Sequence, residues 1–273
     1  MKNIFLQSVS AALVVLIAGS CQKMDRPPLS DFPQDTNPPG GPLKFYAAFD
    51  GTTSNPLMNA VDSIRANFPS NNPLASVDGS NGKAIQGADN KAINYPGAND
   101  FKNATSCTIA MWVNNTVNTR TEFYFSLVDK DYWHKSSAFL LVEHATPDKC
   151  QLKFALMDHW VEYIDNFNEP LFDGQWHHLA FTYDETNSTP KVYFDGAEVP
   201  LPPNALSNFA GQGPLNLKNA SNLIVGGWNN HAGIEAGSTD PWVTSFTGKM
   251  DQFRLYGKVL SPGEIQALYN SKL

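Results

Sequence analysis

Charged side chains and cysteines are scarce in this chain, and each scarcity excludes something. Charged residues fill 16% of the 273 positions, 26 acidic against 19 basic, for a formal net charge of −7. With no arginine-rich helix and no basic patch, nucleic acid is not an expected partner. Three cysteines occur, Cys21, Cys107 and Cys150, and none forms a C-x-x-C pair. That removes the common zinc and dithiol redox motifs. Beyond residue 20 no apolar run approaches the roughly 20 residues that cross a bilayer. An E-x-D-x-E spacing, which sets acidic groups on one face of a strand, is also missing. Paired-carboxylate glycoside chemistry therefore has no ready-made ladder.

What is present starts at the N-terminus. Lys2 supplies a positive charge, Ile4 to Ala18 is a mostly apolar run, and Ile17-Ala18-Gly19-Ser20 brings small residues up to Cys21. The run has the layout of a secretory signal and is too short to span a membrane. A cysteine at the cleavage point resembles the lipobox of bacterial lipoproteins, which implies acylation of Cys21 and removal of residues 1–20. Gln22-Lys23-Met24-Asp25 resembles the lysine-plus-acidic export signal of Bacteroidota surface lipoproteins. Residues 21–43, rich in proline and glycine, read as an extended tether. The expectation is a protein held at the outer membrane by its lipid alone and displayed at the cell surface, with the periplasmic face as the alternative.

Residues 44–273 are long enough for one well-buried core. They read as repeated short strands between Gly, Asn, Asp and Pro turns. Expected strands include Leu43 to Phe49, Thr105 to Val113, Glu122 to Val128, Ala138 to Val142, Gln151 to Met157, Trp176 to Tyr183, Lys191 to Phe194 and Gly248 to Tyr256. Leu179, Phe181 and Tyr183 alternate with His178, Ala180 and Thr182, as for a strand with one buried face. Trp112 and Trp176 are expected in the core. Asp195-Gly196 is a hairpin signal. Ser261-Pro262-Gly263-Glu264 carries a capping serine, a first-turn proline and a capping-box glutamate, so a short C-terminal helix follows. The fold class expected is all-β: a jelly-roll sandwich of two antiparallel sheets with that helix packed on it. Cys107 and Cys150 either pair or remain two buried thiols.

Two segments carry a family resemblance. Asp173-Gly174-Gln175-Trp176-His177-His178-Leu179-Ala180-Phe181-Thr182-Tyr183-Asp184 with Lys191-Val192-Tyr193-Phe194-Asp195-Gly196 is one. Gly248-Lys249-Met250-Asp251-Gln252-Phe253-Arg254-Leu255-Tyr256 with Leu260-Ser261-Pro262-Gly263-Glu264-Ile265 is the other. Both resemble the hallmarks of concanavalin A-like, laminin G-type jelly rolls. The resemblance implies the sandwich fold and leaves function open, since such sandwiches serve lectins, adhesion modules and hydrolases. It also implies a structural calcium between the first and closing strands, with Asp50 and Asp251 as its carboxylates.

The residues themselves point to sugar. Aromatic faces stack on sugar rings while Asp, Asn and His bind hydroxyls. Trp133, Trp160, Trp228 with His231, and Trp242 each have polar neighbours and read as loop or strand-end positions. They are the candidate ligand platforms. His177 and His178, adjacent on a strand, point to opposite faces and cannot share an ion. No catalytic residue is assigned: Asp158, Glu162 and Asp165 cluster around Trp160 without the alternate spacing, and Glu143 lacks a partner. The reading is non-catalytic glycan binding. The alternatives are a glycoside hydrolase or lyase with another acid pair, and a protein-binding adhesion module.

Overall fold

The computed structural model describes residues 40–50, 57, 59, 61, 66–67, 74–128, 136–234 and 240–272. Among these residues the strands form two sheets. The first runs through β12 (Ala197–Val199), β11 (Thr189–Phe194), β10 (Asp173–Asp184), β5 (Cys107–Thr116), β15 (Lys249–Tyr256), β3 (Lys83–Gln86) and β2 (Ala75–Asp78). A further strand, β1 (Leu43–Ala47), also pairs with β15. The second sheet runs through β4 (Ile93–Tyr95), β13 (Asn222–Val225), β6 (Thr121–Val128), β7 (Ala138–Glu143), β8 (Cys150–Leu156) and β9 (His159–Phe167). The short β14 (Val243–Ser245) pairs with β6 in parallel, and the pairs along both sheets are antiparallel. This is the jelly-roll-like sandwich that the strand pattern predicts.

Alternation builds the core between the sheets. Ile109, Met111 and Val113 of β5, Leu179 and Phe181 of β10, and Leu152 and Phe154 of β8 share one buried cluster. Phe154 stacks on Phe181 across the sandwich, with ring centres 4.5 Å apart. Burying a side chain of this size contributes about 1.5–3 kcal/mol. The turn from β11 to β12 uses Asp195 and Gly196 with φ of 48° and 82°. Both lie in the left-handed region that this two-residue hairpin demands.

The face of β10 turned away from that core is also buried: every residue from His177 to Tyr183 is covered. One covered face was expected, and the helix explains the second. Helix α2 (Pro262–Ser271) starts with Ser261 accepting from the Glu264 amide at 3.3 Å while Glu264 accepts from the Ser261 amide at 2.7 Å. It buries Ile265 against Ala110, Ala180 and Tyr193. Tyr269 stacks on Trp112 at 5.6 Å, which places Trp112 in the interior as expected, while Trp176 is only half-buried. Cys107 and Cys150 are buried free thiols, and burial pushes Cys107 up to about 12.

Candidate functional site

Strand β9 carries Trp160, an expected platform that lines a cavity. It enters from a tight turn at Met157 and Asp158, whose φ values are 55° and 62°. It forms one edge of the second sheet, paired to β8 alone along its length. Val161 and Tyr163 point into the core. Their alternates, Trp160, Glu162, Ile164 and Asn166, line a cavity of about 290 Å³. Trp160 is therefore a strand residue rather than a loop residue, and 38% of its surface is exposed.

The opposite wall is Pro202, Pro203, Asn204 and Asn208, leading into the short helix α1 (Ala205–Phe209). Helix α1 is fastened to the strand. Asn208 donates its amide to the Trp160 carbonyl at 3.0 Å, and the His159 ring bonds the Asn208 carbonyl. Phe209 is buried against His159 and Tyr183. Under the platform, Lys153 Nζ lies 4.6 Å from the centre of the Trp160 ring and 3.4 Å from Glu162 Oε1. The cation holds one ring face in place. The cavity thus joins an anchored indole, an exposed Ile164 and three carboxamides, the mixture that small-molecule sites use.

The remaining candidates lie elsewhere. Trp228 is 2% exposed and packs with Phe123, Phe139, Leu141 and Val243 on the outside of the second sheet. His231 is buried edge-on against it, with ring centres 6.2 Å apart, and burial pushes its imidazole down to about 4. Neither offers a face to a ligand: the polar neighbours that suggested a loop platform fold back as a turn over an apolar patch. Trp242 is 50% exposed but does not line the cavity. Trp133 and Cys21 lie outside the described residues. Asn166, Asn204 and Asn208 were not anticipated. For Asn166 the signal was the alternation of Val161 and Tyr163 with Trp160 and Glu162, which marks 159–167 as a strand; Asn204 and Asn208 come to the cavity through the separate helix α1 and had no such signal.

Asp50 and Asp251 meet at the turn between β2 and β3. Asp251 is fully buried. Its Oδ2 accepts from the Ser80 amide at 2.8 Å, the Ser80 hydroxyl at 2.9 Å and the Asn81 amide at 3.3 Å. Its Oδ1 has no partner. Asp50 Oδ1 accepts from the Lys83 amide at 3.1 Å. Burial pushes Asp251 up to about 6, and the Asp50 charge adds to the push. Both carboxylates press so closely on this turn that a Cβ at Gly79 or Gly82 would collide with them. Among the described residues no group of three or more His, Cys, Asp or Glu gathers for a metal. Two carboxylates, one of them with an orphaned buried oxygen, and a glycine cradle fit a hard cation.

His177 and His178 do face opposite ways. His178 packs on Trp112 at 5.3 Å between ring centres, and burial pushes it down to about 3. His177 stacks on Phe194 and bridges two carboxylates, with Nδ1 2.9 Å from Asp195 and Nε2 3.0 Å from Asp173. Burial acts against its charged form, but the two carboxylates together outweigh it and raise its pKa. Asp195 also accepts from the His178 amide at 2.8 Å, so the clamp locks the hairpin turn.

Comparison with known proteins agrees with this architecture. Residues 86–266 match the family model described as the concanavalin A-like lectin/glucanases superfamily. A rat protein, the sushi, von Willebrand factor type A, EGF and pentraxin domain-containing protein 1, is 27% identical over 153 residues. That stretch is 51% of this chain and 4% of the much longer relative. Domain 4 of AbnA, a GH43 extracellular arabinanase from Geobacillus stearothermophilus solved with arabinotriose, superposes with a TM-score of 0.54 at 20% identity. The match covers 83% of this chain and 98% of that domain. The binding domain of Paraclostridial Mosquitocidal Protein 1 gives 0.58 at 13% identity, covering 84% and 52%. Trypanosoma rangeli sialidase gives 0.54 at 15%, covering 85% and 33%. With a two-sheet sandwich, a helix over its outer face and a family match across most of the domain, the chain belongs to the concanavalin A-like lectin/glucanase superfamily.

Proposed function

We propose that this protein is a lipid-anchored surface protein whose sandwich binds glycan without cleaving it. The observation that carries the reading is the cavity beside Trp160, where an anchored, part-exposed indole shares the lining with Asn166, Asn204 and Asn208. The arabinanase domain with its arabinotriose supports the choice of a sugar over a peptide. Glu162 is the acidic residue of the cavity lining, and a glycosidase of the usual kind needs two carboxyl groups flanking the bond. Asp50 and Asp251 hold a structural calcium with backbone carbonyls of the adjoining turns, which neutralises the buried carboxylate. The anchor is the lipid on Cys21, and the proline-rich tether carries the domain away from the membrane.

The test is a glycan array probed with the full-length protein in detergent, with reducing-sugar release followed on every hit. The reading expects retained glycan and no release. Release that disappears in Glu162→Gln would replace it with the hydrolase reading, and an empty array would end it.

A further inference from the structure

The shape and charge of this cavity narrow what it binds. The four lining residues of β9 are alternate positions on one face of an edge strand. The register with β8 shifts where Cys150 pairs with Phe167 and Leu152 with Tyr163, so a bulge shortens the row from Trp160 to Asn166 below the about 20 Å that a regular strand would give at about 3.3 Å per residue. Pro202, Pro203 and Asn204 line the cavity beside this row, and a row with a wall beside it at a sheet edge is the arrangement of a trough. A trough takes a chain from the side, through several consecutive residues, whereas a chain end needs a closed pocket.

Charge sets the second limit. Among the described residues Glu162 is the ionisable member of the lining, and no cation lines the trough with it. The nearby ammonium of Lys153 is already engaged by Glu162 and by the Trp160 ring. A carboxylated or sulfated chain would bring its anions against Glu162 with no free cation among the described lining residues to receive them. Carboxamides, which donate and accept, suit hydroxyl groups instead.

We infer that the trough binds internal stretches of a neutral, uncharged polysaccharide, with Trp160 at one end and Asn166 at the other. This rests on the glycan reading above and adds to it the ligand's charge and mode of docking. Glu162 acts here as the group that excludes polyanions.

The experiment is calorimetric titration of the full-length protein in detergent with laminarin, linear arabinan and galactomannan, and with polygalacturonate, alginate and chondroitin sulfate. The tightest polysaccharide is then competed with its own monosaccharide, disaccharide and hexasaccharide. The expected result is neutral binding at least about tenfold tighter than anionic, and a hexasaccharide at least about tenfold better as competitor than the monosaccharide. Asn166→Ala should weaken the hexasaccharide severalfold and leave the disaccharide unchanged. Glu162→Gln should narrow the gap between neutral and anionic probes. Melting temperatures identify any variant that fails to fold, and the wild-type competition stands without them. A tightest ligand that is anionic, or a monosaccharide that competes as well as the hexasaccharide, overturns the inference. If that binding still depends on Trp160, the glycan reading survives. If none of the six polysaccharides binds, the glycan reading falls and the inference with it.

Discussion

Replacing Asp251 by Asn should change stability in a way that depends on both pH and calcium. Without metal, the buried carboxylate is held at a pKa of about 6 against an ordinary value of 3.8. The folded state therefore binds its proton more tightly than the unfolded state does. Its contribution is favourable below about pH 4 and is lost as pH rises through about 6. A displacement of about 2 units corresponds to about 3 kcal/mol of cost at neutral pH. Asn accepts the Ser80 and Asn81 bonds through its carbonyl and carries no charge beside Asp50. In chelator at about pH 7.5, Asp251→Asn should therefore be more stable than wild type by up to about 3 kcal/mol. For a domain of this size that is about 6–12 °C in melting temperature.

Near pH 5 the advantage should fall to about half, because wild-type Asp251 is by then mostly protonated. His178 and His231, both depressed by burial, destabilise either protein equally as pH falls, so they cancel in the difference. Calcium should raise the melting temperature of wild type by mass action and leave Asp251→Asn unmoved. Thermal melts of the two proteins, with chelator and with calcium, between about pH 5 and 7.5 decide the matter. A difference that does not change with pH in chelator refutes the electrostatic argument. A wild type indifferent to calcium refutes the metal site.

Three further outcomes follow from the geometry. His177→Gln should cost about 1–3 kcal/mol below about pH 6, where the imidazolium bridges Asp173 and Asp195, and less as pH rises through its elevated pKa; paired melts across that range check it. Trp112→Ala should cost about 3–5 kcal/mol, because it empties the space beneath Tyr269, while Trp160→Ala should leave the melting temperature within a few degrees. Cys21→Ser should shift the protein out of the membrane fraction or leave the leader uncleaved, as fractionation and mass spectrometry would show.

Much of the sandwich was legible because period-two alternation survives in β5, β8 and β10, and because the Ser261 cap and the Asp195-Gly196 turn have specific backbone requirements. Strand β9 was missed for a physical reason. It enters through Met157-Asp158, which lacks the Asn-Gly signature of such turns, and its alternation breaks at Asp165, where φ is 55°. Polar neighbours around Trp228 marked a turn but carried no information on whether that turn folds back on the sheet. The two-sided burial of β10 was invisible because it depends on a helix nearly 80 residues later. Asp50 and Asp251 were legible only through the family resemblance. Their convergence on one glycine turn is a product of sheet pairing, and so is the alignment of Asp251, Trp112 and His178 across three strands.

The central claim is that Trp160 is a ligand platform and not a structural residue. Its most direct test is the ratio of dissociation constants of Trp160→Ala and wild type for the tightest polysaccharide, measured on proteins whose melting temperatures agree. Loss of stacking worth about 1 kcal/mol or more predicts a ratio of at least about five. Equal constants in two equally folded proteins would contradict the claim.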